Sequence, residues 1–256
     1  MDRAPDGVDP NVPNVARMYD FYLDGKDNFA ADREAAERIL QLFPNTKQHA
    51  QENRGFLRRA VRLVTANGVD QIVDLGAGLP TQGNTHEIAV GSRVVYVDND
   101  PVVCTHGRAL LARGENVDFL QGDARKPEEL LEQLRPLIDF DRPVAFMMLA
   151  ILHFLTDEEA YGLIGKLREV SVPGSHLVLS HAIDDKPDLT PQALEVYKQS
   201  TAALHLRTHE EILRFFEGYE VLEPGLVDPK DWRPEEEQAS GSGRRSPGYA
   251  AVGRRL

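Results

Sequence analysis

Ile72-Val-Asp-Leu-Gly-Ala-Gly-Leu-Pro80 runs a short apolar strand into a carboxylate and then into two alternating glycines. Glycine has no Cβ, so at positions 76 and 78 the backbone can turn sharply and approach a ligand closely. The third glycine of the dinucleotide fingerprint is missing, because Leu79, Pro80 and Thr81 follow, and the spacing alone therefore specifies little. Asp74 adds the chemistry. A carboxylate two residues before the first glycine repels a pyrophosphate seated on that turn, and it suits a ligand that brings an ammonium or sulfonium charge there.

Outward from this turn, the pattern changes at Gly68. Before it, Asn14 to about Leu23, Ala31 to Leu42 and Thr46 to about Asn67 carry apolar residues at helical spacing, with Gly25, Pro44 and Gly68 as punctuation. After it, short β-rich runs alternate with helical ones: Gln71 to Asp74, Arg93 to Asp98, Val117 to Gln121, Val144 to Leu149 and His176 to Ser180. Such alternation predicts a parallel sheet with helices on both faces. Tyr219 to Val227 and Tyr249 to Gly253 read as two further strands, an antiparallel hairpin at the sheet edge.

The predicted fold is α/β: a Rossmann-like, doubly wound seven-stranded sheet, mostly parallel with an antiparallel edge strand, plus an N-terminal helical extension. Residues 1–67 read as a tail and helical cap, and residues 68–256 as the ligand-binding domain. Helix signals support the frame. Pro101 follows Asp100 at a first-turn position, and Gly114 closes that helix. Thr156-Asp-Glu-Glu159 and Thr208-His-Glu-Glu211 have capping-box spacing, and Thr190-Pro191 starts another helix. Residues 1–13 read as a flexible or loosely docked tail, and Asp228 to Gly248 as a long polar loop, mobile or part of a substrate opening.

Composition narrows the function. Forty-one acidic residues against 29 basic ones give 256 residues a formal charge of −12, which opposes the phosphate backbone that dominates nucleic-acid affinity. The lone Cys104 excludes an internal disulfide and fits a reducing compartment. The N-terminus lacks an apolar signal core, and the longest apolar run, Val144 to Leu152, is too short to span a bilayer. A cytoplasmic protein outside the membrane is expected. The histidines have no metal-ligand spacing, so no metal is expected.

In a doubly wound sheet the ligand lies beyond the C-terminal ends of the strands, so successive strand ends belong together. Asp98 ends the second strand, 24 positions after Asp74. A carboxylate there can accept two hydrogen bonds from a ribose diol. Asp123 lies one strand over, where it can accept from an exocyclic adenine amine while the next backbone amide, that of Ala124, donates to a ring nitrogen.

With these residues in place, the sequence resembles the class I S-adenosylmethionine-dependent methyltransferases. Val73-Asp-Leu-Gly-Ala-Gly78 is similar to their first motif, Tyr96-Val-Asp-Asn-Asp-Pro101 to their second, and Gln121-Gly-Asp-Ala124 to their adenine motif. Ala145-Phe-Met-Met-Leu-Ala-Ile-Leu-His153-Phe-Leu resembles their fourth-strand segment, and Pro173-Gly-Ser-His-Leu-Val-Leu-Ser180 their turn and fifth strand. More narrowly, Gly78-Leu-Pro-Thr-Gln-Gly-Asn-Thr-His86 and Arg17-Met-Tyr-Asp-Phe-Tyr-Leu-Asp-Gly-Lys26 resemble a bacterial S-adenosyl methyltransferase family of largely unassigned substrate.

The resemblance implies S-adenosyl-L-methionine as cofactor, with contacts at Asp74, Gly76, Ala77, Gly78, Asp98, Asn99, Asp123, Ala124 and Ala150. It implies a methyl acceptor without naming one. The fourth strand lacks the Asn/Asp-Pro-Pro-aromatic signature of base and glutamine N-methylation, so a small molecule is expected, with oxygen ahead of nitrogen.

A sulfonium methyl is already activated, and the protein mainly needs to align the acceptor and exclude water. For a hydroxyl acceptor, His153 just after the fourth strand is the candidate base; the alternative is a histidine packed beside the cofactor. Tyr22, Asn28 and Arg54 of the helical extension are candidate cofactor or substrate contacts, the alternative being simple packing on the sheet. Two other readings compete: an NAD(P)-dependent oxidoreductase, and a non-catalytic S-adenosylmethionine-binding sensor.

Overall fold

The computed structural model describes residues 9–80, 83–110, 116–183, 190–234 and 248–256. Three helices open the chain: α1 (Val15–Tyr22), α2 (Ala30–Leu42) and α3 (Thr46–Ala66). An alternating series follows: β1 (Gln71–Leu75), α4 (Thr85–Ile88), β2 (Arg93–Asp98), α5 (Pro101–Leu110), β3 (Val117–Gln121), α6 (Pro127–Leu134), β4 (Ala145–Leu149), α7 (Asp157–Val170), β5 (His176–Ala182) and α8 (Thr190–Lys198). The chain ends with α9 (His209–Leu213), β6 (Tyr219–Val221) and β7 (Gly248–Arg255).

One seven-stranded sheet results, in the order β3-β2-β1-β4-β5-β7-β6. β1 to β5 are parallel, and β7 runs antiparallel between β5 and β6. Strand order reverses between β1 and β4, so their C-terminal ends flank the crevice in which such sheets bind ligands. The edge hairpin is shorter on one side than the sequence predicts. β6 stops at Val221 because Glu223-Pro-Gly225 turns the chain, and Val227 rejoins only as an isolated bridge to Ala250.

Each sheet face is covered by its own apolar layer. On one face α6 and α7 bring Leu130, Leu134, Leu163 and Leu167 onto Val73, Phe146 and Leu177. On the other, α3 and α5 bring Phe56, Ala60, Val61, Val64 and Val103 onto Ile72, Val94 and Met147, with Trp232 inserted beside Phe56. Each Val, Leu, Ile, Met or Phe among them contributes about 1.5–3 kcal/mol when buried. α3 is therefore part of the sheet's covering layer, and of the three N-terminal helices α1 and α2 bury their apolar faces outside it. They form a third cluster in which Met18, Tyr22, Ala36 and Ile39 meet Ala193 and Val196 of α8.

The capping signals act where the sequence places them. Thr156 and Thr208 accept from the amides of Glu159 and Glu211, whose side chains reach back. In the N-terminal extension, Asp32 accepts from Asn14 N, Phe29 N and Arg17 Nε, the last at 2.7 Å, so a buried ion pair fixes the start of α1 on α2. Most of the tail, Gly114 and the centre of the 228–248 loop lie outside the described residues, as do Thr81 and Gln82 after the glycine turn.

Candidate functional site

The C-terminal ends of β1, β2, β4 and β5 open into one cavity of about 560 Å³, a size usual for small-molecule sites. β1 delivers Asp74, and the chain turns at once through Gly76 and Gly78, whose φ values are +70° and +66°. Only glycine takes this conformation without strain. Space also demands it at Gly76, where a Cβ would stand 2.5 Å from Ile151 Cδ1; at Gly78 a Cβ would meet nothing within 4 Å, because that side of the turn faces open cavity. Gly76 N and Ala77 N both donate to Val97 O, and Gly78 N donates to Asp98 Oδ2 at 2.9 Å, so the turn is fastened to the end of β2.

Asp74, Asp98 and Asp123 all line this cavity, together with Gly76, Ala77, Gly78, Asn99, Ala124, Ala150, Tyr22, Arg54 and His153. The three acids differ in state. Asp74 is pushed up to about 6 by burial, against the opposing hydrogen bond from Thr85 Oγ1 (2.6 Å) and the charge of Arg54. Asp98 is raised by burial, although the amides of Gly78, Asn99 and Asp100 donate to it. Asp123 is lowered, because Arg125 grips it with Nε at 2.9 Å and Nη2 at 2.8 Å.

Asn28 does not line the cavity. Its amide donates to Asp20 Oδ2 (2.8 Å) and to Gly25 O (3.0 Å), and Asp20 is the residue that reaches the wall. Tyr19, which the sequence groups with Tyr22 as an aromatic candidate for the pocket, lines the cavity, and the helical extension contributes more than the sequence reveals: Asn14, Ile39, Phe43 and Ala50 line it too, as do Ala193 and Tyr197 of α8. Helical spacing marks these residues as buried without saying whether a core or a cavity buries them. Ala150, a contact the resemblance implies, lines the cavity too; it holds φ +56°, a strained value for alanine, where Ser180 O and Oγ accept from its amide.

His153 sits in a short 3-10 turn, Leu152–Phe154, and its Nδ1 accepts from Ala182 N at 3.2 Å. A neutral imidazole that accepts at Nδ1 carries its proton at Nε2. Burial holds its pKa well below the usual histidine range, with His181 and Arg207 adding to the shift. His153 thus offers a donor, whereas a base requires an open ring nitrogen.

The donor set fits a cationic adenosine derivative. Asp98 lines the cavity with a carboxylate able to accept from the hydroxyls of a ribose diol, Asp123 and Ala124 line it beside β3, and Asp74 stands at the glycine turn with charge to pair with an ammonium or sulfonium. Asn53 Oδ1, buried in the same wall, has no hydrogen-bond partner among the described residues and awaits a donor. Among the described residues no group of three His, Cys, Asp or Glu could hold a metal, and no helix is long and apolar enough to cross a membrane.

A family model described as S-adenosyl methyltransferase matches residues 1–256. The crystal structure of a proposed methyltransferase from Thermobifida fusca is similar, with TM-score 0.91 and 40% identity over 100% of this chain and 99% of that one. A DUF574 family protein from Streptomyces avermitilis gives TM-score 0.90 and 37% identity over 97% of this chain and 99% of that one. The carboxy-S-adenosyl-L-methionine synthase of Pseudomonas entomophila is 26% identical over 170 residues, 62% of this chain and 65% of that protein's length. None of these similarities is to a nicotinamide-dependent oxidoreductase.

Proposed function

The chain belongs to the S-adenosyl methyltransferase family, and from that premise we propose that this S-adenosylmethionine-dependent methyltransferase acts on an uncharged small molecule, at oxygen ahead of nitrogen. When bound, the cofactor supplies a methyl group already activated by its sulfonium charge. Asp98 would hold the ribose, Asp123 and Ala124 the adenine, and Asp74 with the glycine turn the methionine end. Ala77, Asn99 and Ala150 would close around the same ligand, and Arg54 would stand at the methionine end beside Asp74.

Two features of the walls support the acceptor class. Tyr22, Ile39, Phe43, Phe154, Ala193 and Tyr197 make one region apolar and aromatic, while the two arginines of the lining are engaged elsewhere, Arg54 at Gly83 O and Arg125 at Asp123. An anionic acceptor would meet five lining aspartates, Asp20, Asp74, Asp98, Asp100 and Asp123, with no arginine to spare among the described residues.

The observation that carries the preference for oxygen is the hydrogen bond from Ala182 N to His153 Nδ1, which leaves the ring proton on Nε2. A hydroxyl oxygen has two lone pairs, so one can accept from Nε2–H while the other attacks the methyl carbon. A neutral amine has one lone pair, and a donor placed on it blocks the attack. As the O–C bond forms, the S–C bond breaks with its electron pair left on sulfur, and the hydroxyl proton leaves to solvent. His153 orients the nucleophile and takes no proton.

The test is transfer of labelled methyl from S-adenosylmethionine to cell extract, fractionated by size, with Asp98→Ala as control. Label in a small neutral molecule as an ether supports the reading, and label as a carboxylate ester contradicts it. Label in protein, nucleic acid or a small amine, absent from the control, contradicts it.

A further inference from the structure

Arg207 lies in the segment before α9 and is almost fully buried, yet it lines no part of the cavity. Its guanidinium makes four hydrogen bonds, pairs through Nη2 with Asp157 Oδ1 at 2.9 Å, and lies over the Phe215 ring. Nη1 donates to Leu152 O at 2.8 Å and Nη2 to Leu155 O at 2.9 Å, which brackets the 3-10 turn that carries His153. Nε donates to Asp157 Oδ1 at 3.0 Å, and Nη1 also reaches His181 Nε2 at 2.9 Å. A guanidinium can only donate, so His181 Nε2 is the acceptor and its proton sits on Nδ1. That Nδ1–H donates to Ala182 O at 2.6 Å, and the amide of the same residue donates to His153 Nδ1.

Every link of this chain is directional: guanidinium to His181, His181 to the carbonyl of Ala182, the amide of Ala182 to His153. Its far end is His153 Nε2–H, which has no partner among the described residues and belongs to a side chain on the cavity wall. We propose that Arg207 is a positioning residue for methyl transfer: through His181 and Ala182 it fixes His153 as an Nε2–H donor aimed at the acceptor oxygen.

The cation also acts at a distance. His153 is faced by His181 on β5 and by Arg207 in front of α9, and His181 by Arg207, Asp157 on α7 and Glu211 on α9. Burial dominates, and Arg207 adds to it, so both imidazoles stay neutral through the physiological range; His181 is held at about 4. Asp157 and Glu211 pull the other way on His181 alone.

This inference rests on the reading of His153 as a donor to an oxygen nucleophile, but its test needs no acceptor. The full chain is labelled with 15N-histidine, and the His153 signals are identified by their loss in His153→Gln. Wild type is expected to show His153 as the Nε2–H tautomer, unprotonated across the physiological range, and His181 as the Nδ1–H tautomer. In Arg207→Met, His153 is expected to become a tautomer mixture and to titrate at a higher pH than in wild type, while Arg207→Lys restores part of the shift. An Nδ1–H tautomer on wild-type His153, or the same tautomer and titration in a folded Arg207→Met, overturns the proposal. Should Arg207→Met fail to fold, the wild-type tautomers of His153 and His181 decide it. Correct tautomers together with methyl transfer to an amine would sink the oxygen reading alone.

Discussion

The side-chain amide of Asn14 donates to the carboxylate of Asp100, and each of the two residues caps a helix. Asn14 Oδ1 accepts from Ala16 N and Arg17 N at the start of α1, and Asp100 Oδ1 accepts from Val102 N (2.7 Å) at the start of α5. Asp100 follows Asp98 by two residues and donates its own amide to that acid. The helical extension is thereby tied, cap to cap, to the strand end proposed to hold the ribose. Asn14→Ala should cost about 1 kcal/mol for the lost cap and lower the melting temperature by roughly 2–4 °C. Cofactor affinity should fall with it, measured by titration calorimetry; a stability loss with unchanged affinity would mean that α1 does not help to close the cofactor site.

The two glycines of the β1 turn should separate folding from binding. Both take positive φ, so alanine at either strains the backbone by about 1–2 kcal/mol. Gly76→Ala adds a steric overlap with Ile151, and its unfolding midpoint should drop further. Gly78→Ala meets only open cavity, so it should remain folded yet bind S-adenosylhomocysteine far more weakly. Equal stability losses and equal affinities in the two variants would refute this division.

Asp74 gives cofactor binding a pH dependence. Its pKa in the fold, about 6, exceeds the unfolded value of 3.8, so between these pH values the native state holds a proton that the unfolded chain has lost. Folding stability therefore falls as pH rises through that window, by about 3 kcal/mol in total. A cationic ligand favours the charged carboxylate, so S-adenosylmethionine affinity should rise as pH goes from 5 to 7, by up to about tenfold per unit below 6. Asp74→Asn should be more stable than wild type at pH 7.5 and bind with a flat pH profile. A flat profile in wild type would contradict the assignment.

His176 and His181 push stability in the other direction. Burial lowers both to about 4, below the ordinary 6.5, so the unfolded chain binds more protons between those values. Their contribution is complete above pH 6.5 and is lost as pH falls toward 4, about 3 kcal/mol for each imidazole. Asp74 recovers part of this loss below pH 6, over most of the same range. The urea midpoint should decline on acidification from pH 6.5 to 4; a rising midpoint would exclude neutral buried imidazoles.

How much of this was legible in the sequence depends on how local each signal is. The first five strands, the strand-end acids and the capping boxes at Thr156 and Thr208 are written in runs of four to eight residues, and the structure has them there. β6 was over-read, since Leu222 and Leu226 look like strand residues while Pro224 and Gly225 between them turn the chain. The sequence could not reveal the wall made by Phe43 and Tyr197, 154 positions apart, or the reach of Arg207 to His181. Such pairs exist only once the helices have docked. Asn28 and His153 show the same limit: residue type was informative, but tertiary hydrogen bonds to Asp20 and from Ala182 decide what each can do.

The central claim, that acids at three neighbouring strand ends share one adenosine, is tested most directly by a crystal structure with S-adenosylhomocysteine. The account predicts a ribose on Asp98, an adenine beside Asp123 and Ala124, and the sulfur near Gly76 and Ala150. A nucleoside bound elsewhere, or one that touches only one of Asp74, Asp98 and Asp123, would contradict it.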